Sequence, residues 1–241
     1  MPERFSASVA DKHLACHASA NLPLAIPGWQ DPPNDGDTKA SVLGTNMHEI
    51  LERSGEFNAK QMMWMAEAMM YVAELRTRRR FTMEREVSGE GWWFQQNPKP
   101  NTKADVLLYT KDELHVVDYK FGSIFVDAND NTQGKYYSLA FLNRAPKAKE
   151  VHFHLVQPPA KNFAEVVFSM QELEQFMQET LAAEAAILAG STKFGPTDHG
   201  CKFCPANPHS RGAKGSPFCP AIMDLLYPRP KINEDAFLDD I

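Results

Sequence analysis

Three short patterns between residues 105 and 137 carry groups able to do phosphate chemistry: Asp105, then Asp118-x-Lys120, then Gln133-x-x-x-Tyr137. Two carboxylates brought together repel unless a cation lies between them. An all-oxygen pair of that kind suits a hard divalent ion, Mg²⁺ or Mn²⁺. A lysine beside it can orient or deprotonate an attacking water and stabilise negative charge as it develops. Gln133 and Tyr137 stand four residues apart, one face of a helix, where they can position a substrate strand. His48 and Glu52 repeat that spacing further upstream. Taken alone, Asp-x-Lys equally fits a solvated strand face, His48 a structural histidine, and Glu52 a helix-surface residue.

The elements that must position these groups are legible around them. Lys103–Tyr109 and Leu114–Lys120 are rich in Val, Leu and Tyr and are split by the polar turn Thr110–Glu113, which predicts a hairpin. With the turn centred between Lys111 and Asp112, residues whose numbers sum to 223 face each other. That register sets Asp105 opposite Asp118, with Cβ atoms roughly 4.5–5.5 Å apart. Lys120, two residues on, shares the face of Asp118. Asn131–Asn143 reads as the helix bearing Gln133 and Tyr137. Upstream, Ser6 or Ser8 can cap a short helix with Val9, His13 and Cys16, and Ser41–Ser54 is a second helix. Asn21–Asp37 is a Pro- and Gly-rich loop. Asn58–Arg79 is a long helix whose Met62, Met65, Ala66, Met69, Val72 and Ala73 recur as a core stripe. Its arginines, Arg76 and Arg78 to Arg80, either complement the helix C-terminus or contact phosphate. Phe81–Ser88 alternates as a strand, with a return through Trp92–Gln95. Val151–Gln157 and Phe163–Ser169 are further strands. Met170–Ala189 is a helix with apolar Leu173, Phe176, Met177, Leu181, Ala185 and Leu188. Helix, three strands, helix, strand is the order of a small mixed α/β sheet.

In that order, Gly44-Thr45-x-x-His48, Asp105, Asp118-x-Lys120 and Gln133-x-x-x-Tyr137 resemble the motifs of the PD-(D/E)xK nuclease superfamily. The closer likeness is to its RecB-type branch of phage recombination exonucleases and CRISPR-adaptation nucleases. The resemblance spans about Val42–Gln157. Ala104 replaces the proline or glycine often found before the first acid, and Asp118 stands where Glu is common. It implies a restriction-endonuclease-like mixed sheet flanked by helices, and a metal held by His48, Asp105, Asp118 and the Tyr119 carbonyl. Lys120, Gln133 and Tyr137 complete the catalytic set. The activity implied is metal-dependent DNA hydrolysis by an exonuclease of recombination or DNA end processing. The alternatives are a CRISPR-adaptation-type single-strand nuclease and a catalytically silent DNA-binding or scaffold protein.

Four cysteines remain: Cys16, Cys201-x-x-Cys204 and Cys219. They make one set if the N-terminal helix meets the C-terminal segment. Cys-x-x-Cys followed by Cys219-Pro220 is ferredoxin-like, though the fourteen-residue gap before Cys219 is long. The resemblance implies a [4Fe–4S] cluster stapling the chain's two ends. A structural Cys₄ zinc, or Cys₃His with His199 or His209, fits the same residues, as do ordinary buried cysteines.

At 241 residues the chain can bury one sizeable core. We read one nuclease domain: a core of about 41–189, cluster-binding segments of about 6–20 and 195–227, and an acidic tail at 231–241. No stretch has the length of an apolar membrane span, and the first residues lack a signal-peptide profile, so a reducing cytoplasm is expected, that of the host if the gene is a phage's. The net charge of −6 excludes a generic polyanion binder, though the tail from Lys231 onward contributes −3 of it, leaving −3 for the rest. A DNA surface must then be a local patch. The apolar–acidic tail, Asn233–Ile241, is either a solubilising end or a docking peptide for a single-strand-binding or annealing protein.

Overall fold

A five-stranded mixed sheet with helices on both faces organises the protein, in strand order β1-β2-β3-β4-β5. The strands are β1 (Thr82–Glu90), β2 (Asn101–Tyr109), β3 (Leu114–Tyr119), β4 (Glu150–Gln157) and β5 (Asn162–Ser169). The helices are α1 (Ala10–Ala15), α2 (Leu22–Ala25), α3 (Ala59–Arg78), α4 (Thr132–Ala140), α5 (Met170–Leu188), α6 (Asp198–Lys202) and α7 (Pro220–Leu226). The computed structural model describes residues 5–30, 58–202, 204–209 and 217–226. The Gly44–His48 pattern, Glu52, the helix over 41–54 and the acidic tail lie outside them. Among the described residues no helix is long and apolar enough to cross a membrane.

All neighbouring strands run antiparallel except β3 and β4. A parallel pair needs a crossover, and here α4 is carried on it. The alternation of β3 and β4 divides the core. Val116, Phe153 and Leu155 pack with Tyr136, Leu139, Leu173 and Phe176 of α4 and α5, while Val117 and Val156 pack with Ala68, Val72 and Leu75 of α3. Both long helices open on a capping box, Asn58 with Gln61 and Ser169 with Glu172, so two otherwise orphaned N–H groups are satisfied at each start.

Several sequence expectations are corrected. The methionine stripe of α3 is not the buried one: Met62 and Met69 are about half exposed, and Ala68, Val72 and Leu75 face the sheet beside Trp64, Met65 and Tyr71. The helix is rolled so that Tyr71 turns inward, where its hydroxyl meets His154 Nδ1 at 3.0 Å. Trp92–Gln95 forms no strand. The Gln95 and Gln96 N–H groups go instead to the fully buried Glu184 carboxylate, at 2.7 and 2.9 Å, and Trp93 Nε1 donates to Thr180 Oγ1. On α5 the inward line is Leu173, Phe176, Thr180, Ala183, Glu184 and Ile187, leaving Leu188 outside. No side chain caps α1; the Ser6 carbonyl accepts the Val9 and Ala10 N–H groups. Arg79 pairs with Asp112 and Glu113, and Arg78 with Glu165. Arg76 and Arg78 do stand in the last turn of α3, as the C-terminal reading expected, and the ion pairs of Arg78 and Arg79 also fasten that end to the sheet.

Candidate active site

The hairpin register is the expected one where β2 and β3 pair. Val106 faces Val117, Leu107 faces Val116, Leu108 faces His115 and Tyr109 faces Leu114, each pair summing to 223. The ladder stops one step short of the two aspartates. Directly opposed carboxylates on one face would repel, and β2 departs there instead. Ala104 and Leu107 pack on the α4–α5 side, whereas Val106 and Leu108 pack on the α3 side, so the alternation slips by one at Asp105. On β1 the pairing skips Glu86, the residue across from Asp105, which takes a left-handed φ of 51°. Such local breaks re-aim a side chain out of the pleat. The Asp105 carboxylate consequently takes a bond the ladder would have made: Oδ2 accepts the Tyr119 N–H at 2.6 Å.

The other groups form a line of contacts across the same face. Lys120 Nζ stands 2.9 Å from Asp118 Oδ2, whose side chain is 7% exposed. Lys120 Nζ also donates to Gln133 Oε1 at 2.7 Å, and Gln133 Nε2 donates to the Tyr137 hydroxyl at 2.9 Å. The helix that supplies Gln133 and Tyr137 starts at Asn131, whose Oδ1 accepts the Gly134 N–H. Gly134 lets α4 close on β4: a Cβ there would meet the Phe153 ring at 2.6 Å. Burial raises the Tyr137 phenol well above its ordinary value, and the charges of Asp118 and then Asp105 raise it further. Both carboxylates are therefore felt at one point. Hydrogen bonds from Gln133 and Thr102 act the other way. That donor set, two carboxylates from the break in β2 and the end of β3, fits a hard divalent ion.

Two contributors were not singled out in the sequence. Thr102 reaches Tyr137 from β2. Gln157, fully buried at the end of β4, donates through Nε2 to the Gly122 and Ile124 carbonyls at 2.8 and 2.6 Å, and its Oε1 accepts the Val126 N–H at 3.1 Å. One amide thus fixes the segment that follows Lys120. A glutamine before Pro-Pro carries no local signal of that task.

The four cysteines line one cavity between the N-terminal segment, α6 and α7, walled also by Leu22, Phe194 and Ile222. Among the described residues no three of their sulfur atoms lie within 4.8 Å of one another, and no disulfide joins them. Burial raises the thiols of Cys201, Cys204 and Cys219. His209 is exposed on the surface.

A family model described as a protein of unknown function, DUF2800, matches residues 93–218, which are 126 of the 241. The chain belongs to the DUF2800 family. The matched span of this DUF2800 chain contains Asp105, Asp118, Lys120, Gln133, Tyr137, Cys201 and Cys204, and leaves out His48, Cys16 and Cys219. Solved structures similar to it include the crystal structure of SSO0001, at 14% identity over 84% of this chain and 85% of that one, with a TM-score of 0.45. LHK-Exo in complex with dAMP matches at 10% identity over 76% and 92%, TM-score 0.34. The alkaline exonuclease LHK-Exo from Laribacter hongkongensis matches at 12% identity over 75% and 93%, TM-score 0.30. No curated protein matches the chain.

Proposed function

We propose that this protein is a metal-dependent deoxyribonuclease, an exonuclease of recombination or DNA end processing. The observation that carries the reading is the contact line from Asp118 through Lys120 and Gln133 to Tyr137, with the Asp105 carboxylate beside it. Asp105 and Asp118 would hold Mg²⁺ or Mn²⁺, with the Tyr119 carbonyl and, by the motif resemblance, His48. When bound, the ion supplies Lewis acidity to the phosphate and to the attacking water. Lys120, held between Asp118 and Gln133, orients that water and donates to the non-bridging oxygen on which charge grows. The bond from phosphorus to the water oxygen forms as the bond to the leaving sugar oxygen breaks. That oxygen takes up a proton, and the water's proton passes to solvent. Gln133 and Tyr137 hold the scissile strand against α4.

End-labelled linear DNA and closed circular DNA, incubated with and without Mn²⁺, test the reading. Loss of label from linear DNA alone, only with metal, is expected. Nicking of the circle would make the enzyme an endonuclease, and binding without cleavage under any metal would sink the enzyme reading. Asp105→Ala and Asp118→Ala should lose metal affinity and cleavage together. Lys120→Ala should keep Mn²⁺ binding by calorimetry while single-turnover cleavage drops about a hundredfold or more, the scale of a lost general base or charge stabiliser. Normal cleavage by Lys120→Ala would remove Asp118-x-Lys120 from the mechanism.

For the cysteines we infer a [4Fe–4S] staple. A single tetrahedral zinc with Zn–S bonds near 2.3 Å needs sulfurs about 3.8 Å apart, closer than any three of these are held. A four-iron cube is itself several ångström across, so it suits thiolates set apart around one cavity. Cys201, Cys204 and Cys219, whose thiols burial raises, would have to give up their protons to hold it, so loading should be favoured by higher pH. Aerobically purified protein should be brown and bleach with dithionite; colourless protein with stoichiometric zinc would overturn the cluster.

A further inference from the structure

The face of the sheet opposite the carboxylates holds three histidines the proposed reaction does not use. His115 on β3 and His152 on β4 are register partners, with rings stacked at 4.4 Å and 19° between planes. His154, one step further along the same face of β4, is fully buried. Glu113, His115 and His152 each offer a ligand atom within 4.8 Å of the others. A second group, His115, His154 and Glu165, meets the same distance, but there His115 Nδ1 and His154 Nε2 already bond each other at 2.8 Å beneath α3. The first group opens on a surface pocket lined by Asp112, Glu113, Lys147, Lys149, Glu150 and His152, so an ion has a route in from solvent.

We propose that Glu113, His115 and His152, with Glu150 as a further ligand, form a second metal site for a divalent transition ion of the zinc class. The proposal is independent of the nuclease reading. Its strength is that the far sides of Glu113, His115 and His152 are already held, the arrangement that orients and tunes metal-bound groups. His152 Nδ1 bonds Glu165 Oε1 at 2.8 Å, which leaves Nε2 toward Glu150 Oε1, 3.7 Å away. Arg78 in turn holds Glu165 at 3.1 Å. Glu113 gives Oε2 to Arg79 at 2.6 Å, keeping Oε1 on His115 Nε2 at 2.8 Å. Behind His115, Nδ1 meets His154 Nε2, and His154 Nδ1 meets the Tyr71 hydroxyl.

That chain settles the proton inventory. Without metal, a consistent set of tautomers has His115 Nε2–H donating to Glu113, His154 Nε2–H to His115 and Tyr71 O–H to His154. Metal on His115 Nε2 moves the His115 proton to Nδ1 and the His154 proton to its own Nδ1, so the relay reverses with no net proton gained or lost. Lys147 and Lys149 in the pocket wall offset two of its three carboxylates. Charge alone therefore gives little attraction, and selection falls to the imidazoles, which favour zinc-class ions over Mg²⁺.

The test is Zn²⁺ titration of the full chain in excess Mg²⁺, followed by calorimetry and by thermal melting. The unaltered protein should bind one zinc more than His152→Ala and melt higher on zinc addition, while His152→Ala does not. Glu165→Gln, which touches no metal, should weaken that zinc by about ten- to a hundredfold. Glu150→Gln, at an exposed position, should weaken it too and serves if His152→Ala fails to fold. Cleavage in Mg²⁺ should be unchanged in His152→Ala, which keeps this outcome apart from any failure of the nuclease reading. Equal zinc stoichiometry and equal melting shifts in all variants would overturn the site. Loss of the extra zinc in Cys204→Ser but not in His152→Ala would assign the metal to the cysteines and overturn it equally.

Discussion

Gln157 shows how much can hang on one side chain. Replacing it with leucine would leave the Gly122 and Ile124 carbonyls and the Val126 N–H without the amide that now serves them. A buried polar group stripped of its partner costs about 1–3 kcal/mol, so Gln157→Leu should lower the urea midpoint. Single-turnover cleavage should fall further than metal affinity, because the segment leaving Lys120 loses its anchor while Asp105 and Asp118 do not. Tyr137→Phe removes the hydroxyl that takes Gln133 Nε2–H; cleavage should drop by about tenfold with Mn²⁺ affinity retained. The candidate site was legible at this scale wherever chemistry and spacing coincide, as in Asp118-x-Lys120 and Gln133-x-x-x-Tyr137. It was illegible where the role is purely geometric. Neither the slip of β2 at Asp105 nor the bond from Tyr119 N–H to the Asp105 carboxylate has a residue-type signature, since both arise from what the neighbouring strands do.

Among the elements, α4 carries two of the site residues and its distance from the sheet is set by Gly134. Glycine inside a helix ordinarily costs stability relative to alanine. Here the sign should reverse, because the added methyl meets the Phe153 ring. Gly134→Ala should destabilise by about 1–3 kcal/mol and slow cleavage by displacing Gln133 and Tyr137 together. A more stable, fully active variant would contradict that packing. The relay between α3 and the sheet yields a pH dependence. Burial holds the His115 and His154 imidazoles below their ordinary value. The unfolded chain, with histidine near 6.5, then binds protons first as pH falls, so protonation favours unfolding. Metal-free protein should be at full stability above about pH 7 and lose up to roughly 1.4 kcal/mol per pH unit per histidine below 6.5. Melting at pH 7.5 and 5.5 checks this, and His154→Phe should flatten the slope. Strands and long helices were readable from their period; the roll of α3 was not. It follows from one tyrosine finding a buried acceptor, a tertiary contact that overrides the methionine pattern.

Across the whole molecule, the N-terminal segment and the residues beyond α5 build one unit. Leu22 and Ile26 pack with Cys204, Ala206, Cys219 and Ile222. Asn21 Nδ2 donates to the Ile187 and Ser191 carbonyls at 2.9 and 3.1 Å, closing the end of α5. Cys16→Ser should lower the melting temperature more than it lowers cleavage per folded molecule, since the cavity it lines contains neither Asp105 nor Asp118. The cysteine spacing pointed to this closure, but the part played by Asn21 did not show, because an asparagine capping a helix more than a hundred residues away leaves no local trace. The meeting of the two segments also bears on synthesis. During synthesis Phe5–Ile26 is made before the residues it packs on: Phe5 can stack on Phe94 once β1 and the segment after it exist, but Leu22 and Ile26 lack Cys204, Ala206, Cys219 and Ile222 until α6 and α7 follow. A chain stalled before Cys201 should therefore leave Leu22–Ile26 open to protease while strands β1 to β5 resist it.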